Sequence, residues 1–394
     1  MSQQLINLSP DLKRLRDEGY EIGLQGGYLL IHHVPYLNQK KEICYGTLVS
    51  TLTLSSSTQT GCPETHVINF IGENPCNADG TIISSIQHGN NTTQLCEGLT
   101  INHSFSNKPP NGYPNYYEKV KRYADIISAP AKFLDETVTE KTFKLIASTE
   151  DDGVFQYIDT NSSRANIEML NGKFAGQKIA IIGLGGTGAY ALDLISKTPV
   201  REIHLFDGDN FDQHNAFRAP GAASISDLEK NQKKADFLCG IYSNMHRGIV
   251  SHNYYITKAN IHELDSMSYV FICIDKNLVR KFITDYLVSK GVSFIDVGLG
   301  VNIVNGKLTG ATRVTSGTKE KHDHLVNRIF EDDNEDNEYA SNIQIADLNL
   351  INAGFAVLKW KKFSGFYVDL EQEHHSSYSI GVSKIFNEDG TATI

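Results

Sequence analysis

The sequence predicts two domains: an α/β domain over residues 151–394, built on a mostly parallel sheet with helices on both faces, and before it a smaller β-rich or α+β domain over residues 1–150. Three observations predict this. The chain has 394 residues, enough to bury two separate cores. After about residue 170, strand-like and helix-like segments alternate, the pattern of a parallel sheet covered by helices. Before residue 150 the β-like runs are short and are separated by loops rich in Ser, Thr, Asn, Gly and Pro.

In the first part, GYLLIHHVPY, CYGTLVSTLTL and HVINFIG are the strand candidates, and YYEKVKRYADIISAPAKFLDE is a closing helix expected to break at Pro130. In the second part, KIAII, EIHLF, VSHNYYI, YVFICI and VSFIDVG read as successive strands. VNIVNG and KLTGATRVT meet at Asn305-Gly306, whose residue types suit the positive φ angles of a tight hairpin. EDDNEDNE, residues 331–338, is too acidic to pack and is expected to be a solvated loop. Residues 341–362 carry apolar side chains on almost every face, so they predict a helix buried against the sheet or in a subunit interface.

The bulk properties exclude several classes. With 40% hydrophobic and 21% charged residues, the chain is neither fibrous nor disordered. A net charge of -10 argues against a broad nucleic-acid interface, which needs clustered Lys and Arg. No secretory leader pattern and no apolar run of about 20 residues is present, so the expectation is a cytoplasmic protein with no membrane segment. The six cysteines form no C-x-x-C pair and are expected to be reduced; Cys239 and Cys273 lie in apolar contexts and read as core thiols.

KIAIIGLGGTGAYALDLI places a strand, a glycine turn and a helix in the order that lets a backbone approach phosphate. Gly183 permits the tight turn, Gly185 and Gly186 clear space for close approach, and Gly188 lets the helix sit against the strand. The helix N-terminus then directs N–H groups at an anion. Asp207, 24 residues after Gly183 at the end of the next strand, is placed to take ribose hydroxyls. To this point NAD and ATP fit equally. The following FDGDNFDQHNAFR brings Asp209, Asn215 and Arg218 to the same pocket, where a dehydrogenase needs an apolar slot for nicotinamide, so phosphate chemistry is favoured.

The combined pattern resembles the ThiF/MoeB family, the adenylating fold shared with ubiquitin-activating enzymes, over about residues 160–390. The resemblance rests on Gly183, Gly185, Gly186 and Gly188, then Asp207 and Asp209, then Asn215 and Arg218 in HNAFR, Lys233 in KNQKKADF and Asp275 in FICIDKNLVRKF, with Arg280 where the family also tends to carry an Arg. The sequence departs from the family pattern in three places: Ala219 follows Arg218 where Gln is usual, Lys234 competes with Lys233, and Lys276 follows Asp275 where Asn is common.

What the resemblance implies is a Rossmann-like adenylation domain. It would use ATP and Mg²⁺ to adenylate the C-terminal carboxylate of a ubiquitin-like or sulfur-carrier protein and release pyrophosphate. Arg218 and Lys233 would neutralise the leaving group, and Asp275 would hold Mg²⁺. Arg164 would reach into the partner subunit's site of a homodimer. The N-terminal domain would recruit the carrier or a conjugating-enzyme-like protein, an arrangement found in bacterial ubiquitin-like conjugation and antiviral defence operons. Relatives that form thioesters carry a cysteine beyond the metal-binding Asp, and this chain has none after Cys273. Three routes then remain, in which the enzyme stops at the acyl-adenylate, passes it directly to a partner, or uses a hydroxyl, for which Ser316, near His322 and His324, and Ser341 are the candidates. The N-terminal cysteines also stay open as acceptors. Three further readings stay open: a non-catalytic scaffold of the same fold, an NAD-dependent oxidoreductase, and adenylation of a tRNA-modification carboxylate.

Overall fold

The computed structural model describes residues 2–56, 58–146, 153–329 and 343–391. The acidic run 331–338 and Ser341 lie outside the described residues. The chain divides into two compact units, Met1–Ala147 and Ser148–Ile394.

After a short helix at Ser2–Leu8, the first unit carries helix α1 (Pro10–Asp17) and holds a six-stranded antiparallel sheet of β1 (Glu21–Gln25), β2 (Tyr28–Leu37), β3 (Ile43–Thr51), β4 (Val67–Ile71), β5 (Gln87–Gly89) and β6 (His103–Ser106). Their spatial order is β1-β2-β3-β4-β6-β5. Helix α2 (Tyr116–Leu134) covers one face: Tyr116, Val120, Tyr123 and Ile127 share a core with Leu29, Ile31, Phe70 and Phe105. Asn115 starts the helix by accepting a hydrogen bond from the Glu118 N–H at 2.9 Å. Pro130 does not break it. The proline lies in the last turns, where one missing N–H costs little against a buried stripe that extends to Ala131.

The same helix buries Lys119 completely, and its ammonium donates to Ser50 Oγ and Thr65 O, both at 2.9 Å. Burial pushes its pKa down from 10.5 to about 8. The unfolded chain therefore binds more protons between those values, so stability is lost below about pH 8 and recovered as pH rises toward 10.5. Urea unfolding at pH 7 and pH 10.5 is expected to show wild type gaining on the order of 2–3 kcal/mol relative to Lys119→Met as pH rises. Parallel pH profiles for the two proteins would refute this.

The second unit carries an eight-stranded sheet of β7 (Lys178–Ile182), β8 (Glu202–Phe206), β9 (Ile249–His252), β10 (Tyr269–Ile272), β11 (Ser293–Val304), β12 (Lys307–Gly317), β13 (His375–Ser379) and β14 (Lys384–Glu388). The order is β9-β8-β7-β10-β11-β12-β13-β14. The first five strands run parallel and the last three continue antiparallel. Central strands are apolar on both sides because both sides are covered. Helices α4 (Gly186–Ile195), α5 (Lys234–Tyr242) and α7 (Ala346–Phe363) pack with Ile179, Leu205 and Phe271 on one face, and α6 (Asn277–Lys290) packs with Val270 and Phe294 on the other. VSFIDVG and VNIVNG merge into the single strand β11, which turns into β12 through Asn305 (φ 51) and Gly306 (φ 72). This is the left-handed pair that a two-residue hairpin demands.

Candidate active site

Parallel strands that share one direction release their carboxyl ends on one side of the sheet, and a ligand crevice forms there. Strands β7, β8, β9 and β10 end at Ile182, Phe206, His252 and Ile272, and the segments that follow surround a cavity of about 790 Å³. One part is apolar, with Ile182, Phe206, Ile256, Ile274, Val279 and Ile283. The other part is polar and carries Asp209, Arg218, Lys234 and Asp275.

The glycine turn forms the floor. Gly183 has φ +86, and a Cβ there would come within 2.7 Å of Cys273 O. A Cβ at Gly188 would stand 1.9 Å from Gly183 O, so this glycine is what lets α4 lie against β7. Gly185 differs: only Gln344 Oε1, at 3.9 Å, lies near its would-be Cβ, so its backbone faces open cavity. At Gly186 the obstacle is the Asn349 side chain, 1.8 Å from a Cβ. Asn349 is buried on α7, accepts from Thr187 Oγ1 at 3.0 Å and donates to Arg218 O at 3.4 Å. It ties the glycine turn to the Arg218 loop. Sequence reading missed it, although a polar residue amid an apolar helix is itself a signal.

Asp207 does not offer the free carboxylate expected for ribose. It is buried, and its two oxygens accept from the Leu184 N–H at 2.7 Å and the Asp209 N–H at 2.8 Å. It braces the turn. Asp209, two residues on, is the exposed acid: Lys234 Nζ donates to it at 2.7 Å and the Tyr255 hydroxyl donates to its other oxygen. Burial alone would raise the Asp209 pKa, but the Lys234 and Tyr255 hydrogen bonds outweigh it and hold the carboxylate below its ordinary value.

Lys233 is not in the cavity wall. It is the N-cap of α5, and its ammonium donates to Gly208 O at 2.8 Å. Lys234 lines the cavity instead, with a side chain only 7% exposed. Neighbouring residues at a helix start point about 100° apart, so a one-residue shift decides which lysine faces the cavity. Asn215 is also displaced from its expected place. It is buried in the short helical turn Gln213–Ala216, where its Oδ1 accepts from the Asp212 N–H at 2.9 Å, and its backbone carbonyl accepts from the Arg218 N–H at 3.1 Å. It shapes the loop that presents Arg218. Arg218 itself lines the cavity, and its Nε is buried without a hydrogen-bond partner among the described residues.

Asp275 follows β10 into the cavity as an exposed carboxylate. Behind it, Arg280 donates to Ile274 O and, at 2.8 Å, to Asn277 Oδ1, and its Nε lies 2.7 Å from Asp296 Oδ1. Asp296 is fully buried and also meets Arg313 at 2.7 Å. Cys273 borders the cavity, and burial pushes its thiol pKa far up, which keeps it protonated.

The remaining candidates lie elsewhere. Arg164 is exposed on helix α3 (Thr160–Ala165) and does not line the cavity of its own chain. Ser316 lies in β12, fully buried, with its Oγ 3.2 Å from His374 Nδ1 rather than on His322 or His324. A substrate carboxyl cannot reach a hydroxyl enclosed in the sheet, so Ser316 is withdrawn as an acyl acceptor. Among the described residues no group of three or more His, Cys, Asp or Glu forms a metal cage. The lone Asp275 suits a cation such as Mg²⁺, which keeps most of its waters and takes one or two protein carboxylates. No described helix is long and apolar enough to cross a membrane.

Comparison with known proteins places these observations. Residues 10–160 match DUF6791, a domain of unknown function. Among curated proteins, the chain is 25% identical over 161 residues to ubiquitin-like modifier-activating enzyme 5 of Drosophila grimshawi, covering 37% of this chain and 39% of that protein. It is 24% identical over 148 residues to the same enzyme of Aedes aegypti, covering 34% and 36%. The chain thus spans about two fifths of the length of the curated relatives it matches. Among solved structures, E. coli MccB aligns with a TM-score of 0.46 at 15% identity, over 58% of this chain and 66% of that one. E. coli tRNA N6-threonylcarbamoyladenosine dehydratase, TcdA, aligns at 0.40 and 18%, over 52% and 92%. The ThiF family itself matches residues 165–365, just over half of the chain and the whole stretch from the glycine turn through α7, and the protein belongs to that family.

Proposed function

We propose that the cavity binds ATP with Mg²⁺ and adenylates the C-terminal carboxylate of a ubiquitin-like or sulfur-carrier protein. The observation that carries this reading is the convergence of Arg218, Lys234 and Asp275 on the cavity floored by Gly183, Gly185 and Gly186. A carboxylate oxygen attacks the α-phosphorus, the bond to the bridging oxygen breaks, and pyrophosphate leaves with the charge. Fixed cations lower this barrier by electrostatics and positioning. Arg218 and Lys234 supply them, and Asp275 would hold the Mg²⁺ that helps neutralise the phosphates. In this reading Arg164 completes the site of the partner in a symmetric dimer. No cysteine follows Cys273 and Ser316 is enclosed, which leaves Ser341, the N-terminal cysteines and direct transfer as routes. In this reading the direct one operates, and the acyl-adenylate passes to an acceptor on a partner protein that the N-terminal domain recruits.

Pyrophosphate exchange tests the reading. The full chain with ATP, Mg²⁺, labelled pyrophosphate and a panel of carrier proteins or peptides ending in glycine is expected to return label to ATP only when a free C-terminal carboxylate is present. Arg218→Ala should reduce exchange by about 10²-fold. ATP binding without exchange across the panel would leave the scaffold reading, and a fluorescence change on nicotinamide cofactor titration would revive the dehydrogenase.

A further inference from the structure

Tyr255 occupies a position in this cavity that the glycine turn and its acids do not account for. It lies in the segment after β9, beside Ile256 and Thr257, and is 60% exposed, unusual for a large aromatic ring at a cavity wall. Its place is nonetheless fixed from three sides. Its backbone carbonyl accepts from Asn260 Nδ2 at 3.0 Å, and Asn260 Oδ1 accepts from the Thr257 N–H at 2.6 Å, which closes the loop on itself. Its ring lies against Gly208, where a Cβ would fall 2.7 Å from a ring carbon. Its hydroxyl donates to Asp209. That hydrogen bond, with burial second, pushes the tyrosine pKa up to about 12, so the group remains a donor throughout the neutral range.

The consequence lies in the two acids of FDGD. Asp207 is committed to backbone N–H groups of the turn, which leaves Asp209 as the acid with open acceptor capacity at the rim. A carboxylate has about four lone-pair sites. Lys234 and Tyr255 take one on each oxygen, and the rest face outward. Two donors from different elements, one on α5 and one after β9, fix the plane of the carboxylate before any ligand arrives. A preset bidentate acceptor at the end of a sheet strand suits a vicinal diol, and the nucleotide class supplies one in ribose.

We infer that Tyr255 is a positioning residue that holds Asp209 in the orientation that reads both ribose hydroxyls, and that it thereby makes the cavity select ribonucleotides over 2′-deoxyribonucleotides. This rests on the proposed function, because it requires a nucleotide in this cavity. Removing the phenol hydroxyl frees the Asp209 plane. It should weaken only those ligands that engage both of its outward sites.

The test is calorimetric titration of the full chain with ATP and with 2′-deoxyATP, each with Mg²⁺, which needs no carrier protein. Wild type is expected to bind ATP about tenfold more tightly than 2′-deoxyATP. Tyr255→Phe should weaken ATP by about five- to tenfold and leave 2′-deoxyATP within about twofold, so that the preference collapses. Asp209→Asn should remove the preference by itself, and adding Tyr255→Phe to it should change nothing further, since the two act as one unit. A merely structural role predicts something else: equal weakening of both nucleotides with the preference intact, which would overturn the inference. Equal binding of the two nucleotides by wild type would also overturn it while leaving the proposed function standing. Absence of binding to either nucleotide would overturn both. Thermal melting of each variant shows whether the fold is kept, and if Tyr255→Phe does not fold, Tyr255→Leu, which also removes the hydroxyl, is titrated in its place with the same expected collapse of the preference.

Discussion

Lys234→Ala is expected to lower kcat/KM for pyrophosphate exchange by about 10²- to 10³-fold, while Lys233→Ala changes it by less than about threefold. The two lysines are adjacent and equally charged, and the sequence favours Lys233 with Lys234 as its competitor, so the contrast isolates geometry from composition. Lys234 has its stem buried and its ammonium at the cavity wall beside Asp209. A fixed cation in a water-poor cleft acts on developing negative charge without having to reorganise. Lys233 holds a backbone carbonyl outside that wall. Because Lys234 also steadies Asp209, ATP affinity should fall too, and single-turnover rates at saturating ATP separate the two effects. The opposite ranking of the two variants would place the wrong lysine in the cavity.

Asp296→Ala is expected to destabilise the second unit by about 3–5 kcal/mol, which corresponds to a fall in Tm of about 10 °C for a unit of this size. Asp296 is fully buried on β11 between Arg280 and Arg313, with 2.7 Å to each. The Arg280 contact is close but poorly angled for a hydrogen bond, so its attraction is chiefly coulombic. Removing the one anion leaves two guanidinium groups facing each other in low dielectric, where like charges cannot be hydrated. The loss should also reach the site, because Arg280 holds the Ile274 carbonyl directly before Asp275. Thermal unfolding of the full chain measures the first effect. The Mg²⁺ dependence of ATP binding measures the second. A Tm within about 2 °C of wild type would show that the triad is not needed.

How much of this was legible in the sequence depends on the range over which each signal acts. The glycine turn was, because its demands are local: positive φ at Gly183 and the missing Cβ at Gly188 follow from residues within one strand-turn-helix unit. The Asn305-Gly306 hairpin was legible for the same reason. Pro130 was misread, since a rule about local hydrogen bonding takes no account of the buried stripe that carries α2 past it.

The sequence by itself determined the alternation of apolar strands and helices, the glycine turn, the supply of Asp, Arg and Lys that followed it, and the lack of a late cysteine. Only the tertiary structure decided which of two acids at the cavity keeps open acceptor sites, which of two lysines faces the cavity, that Asn349 and Tyr255 belong to the site, and that Ser316 does not. The reason is that a side chain's direction at a helix start, and its burial in a sheet, are set by contacts with residues tens to hundreds of positions away, and spacing along the chain carries no record of them.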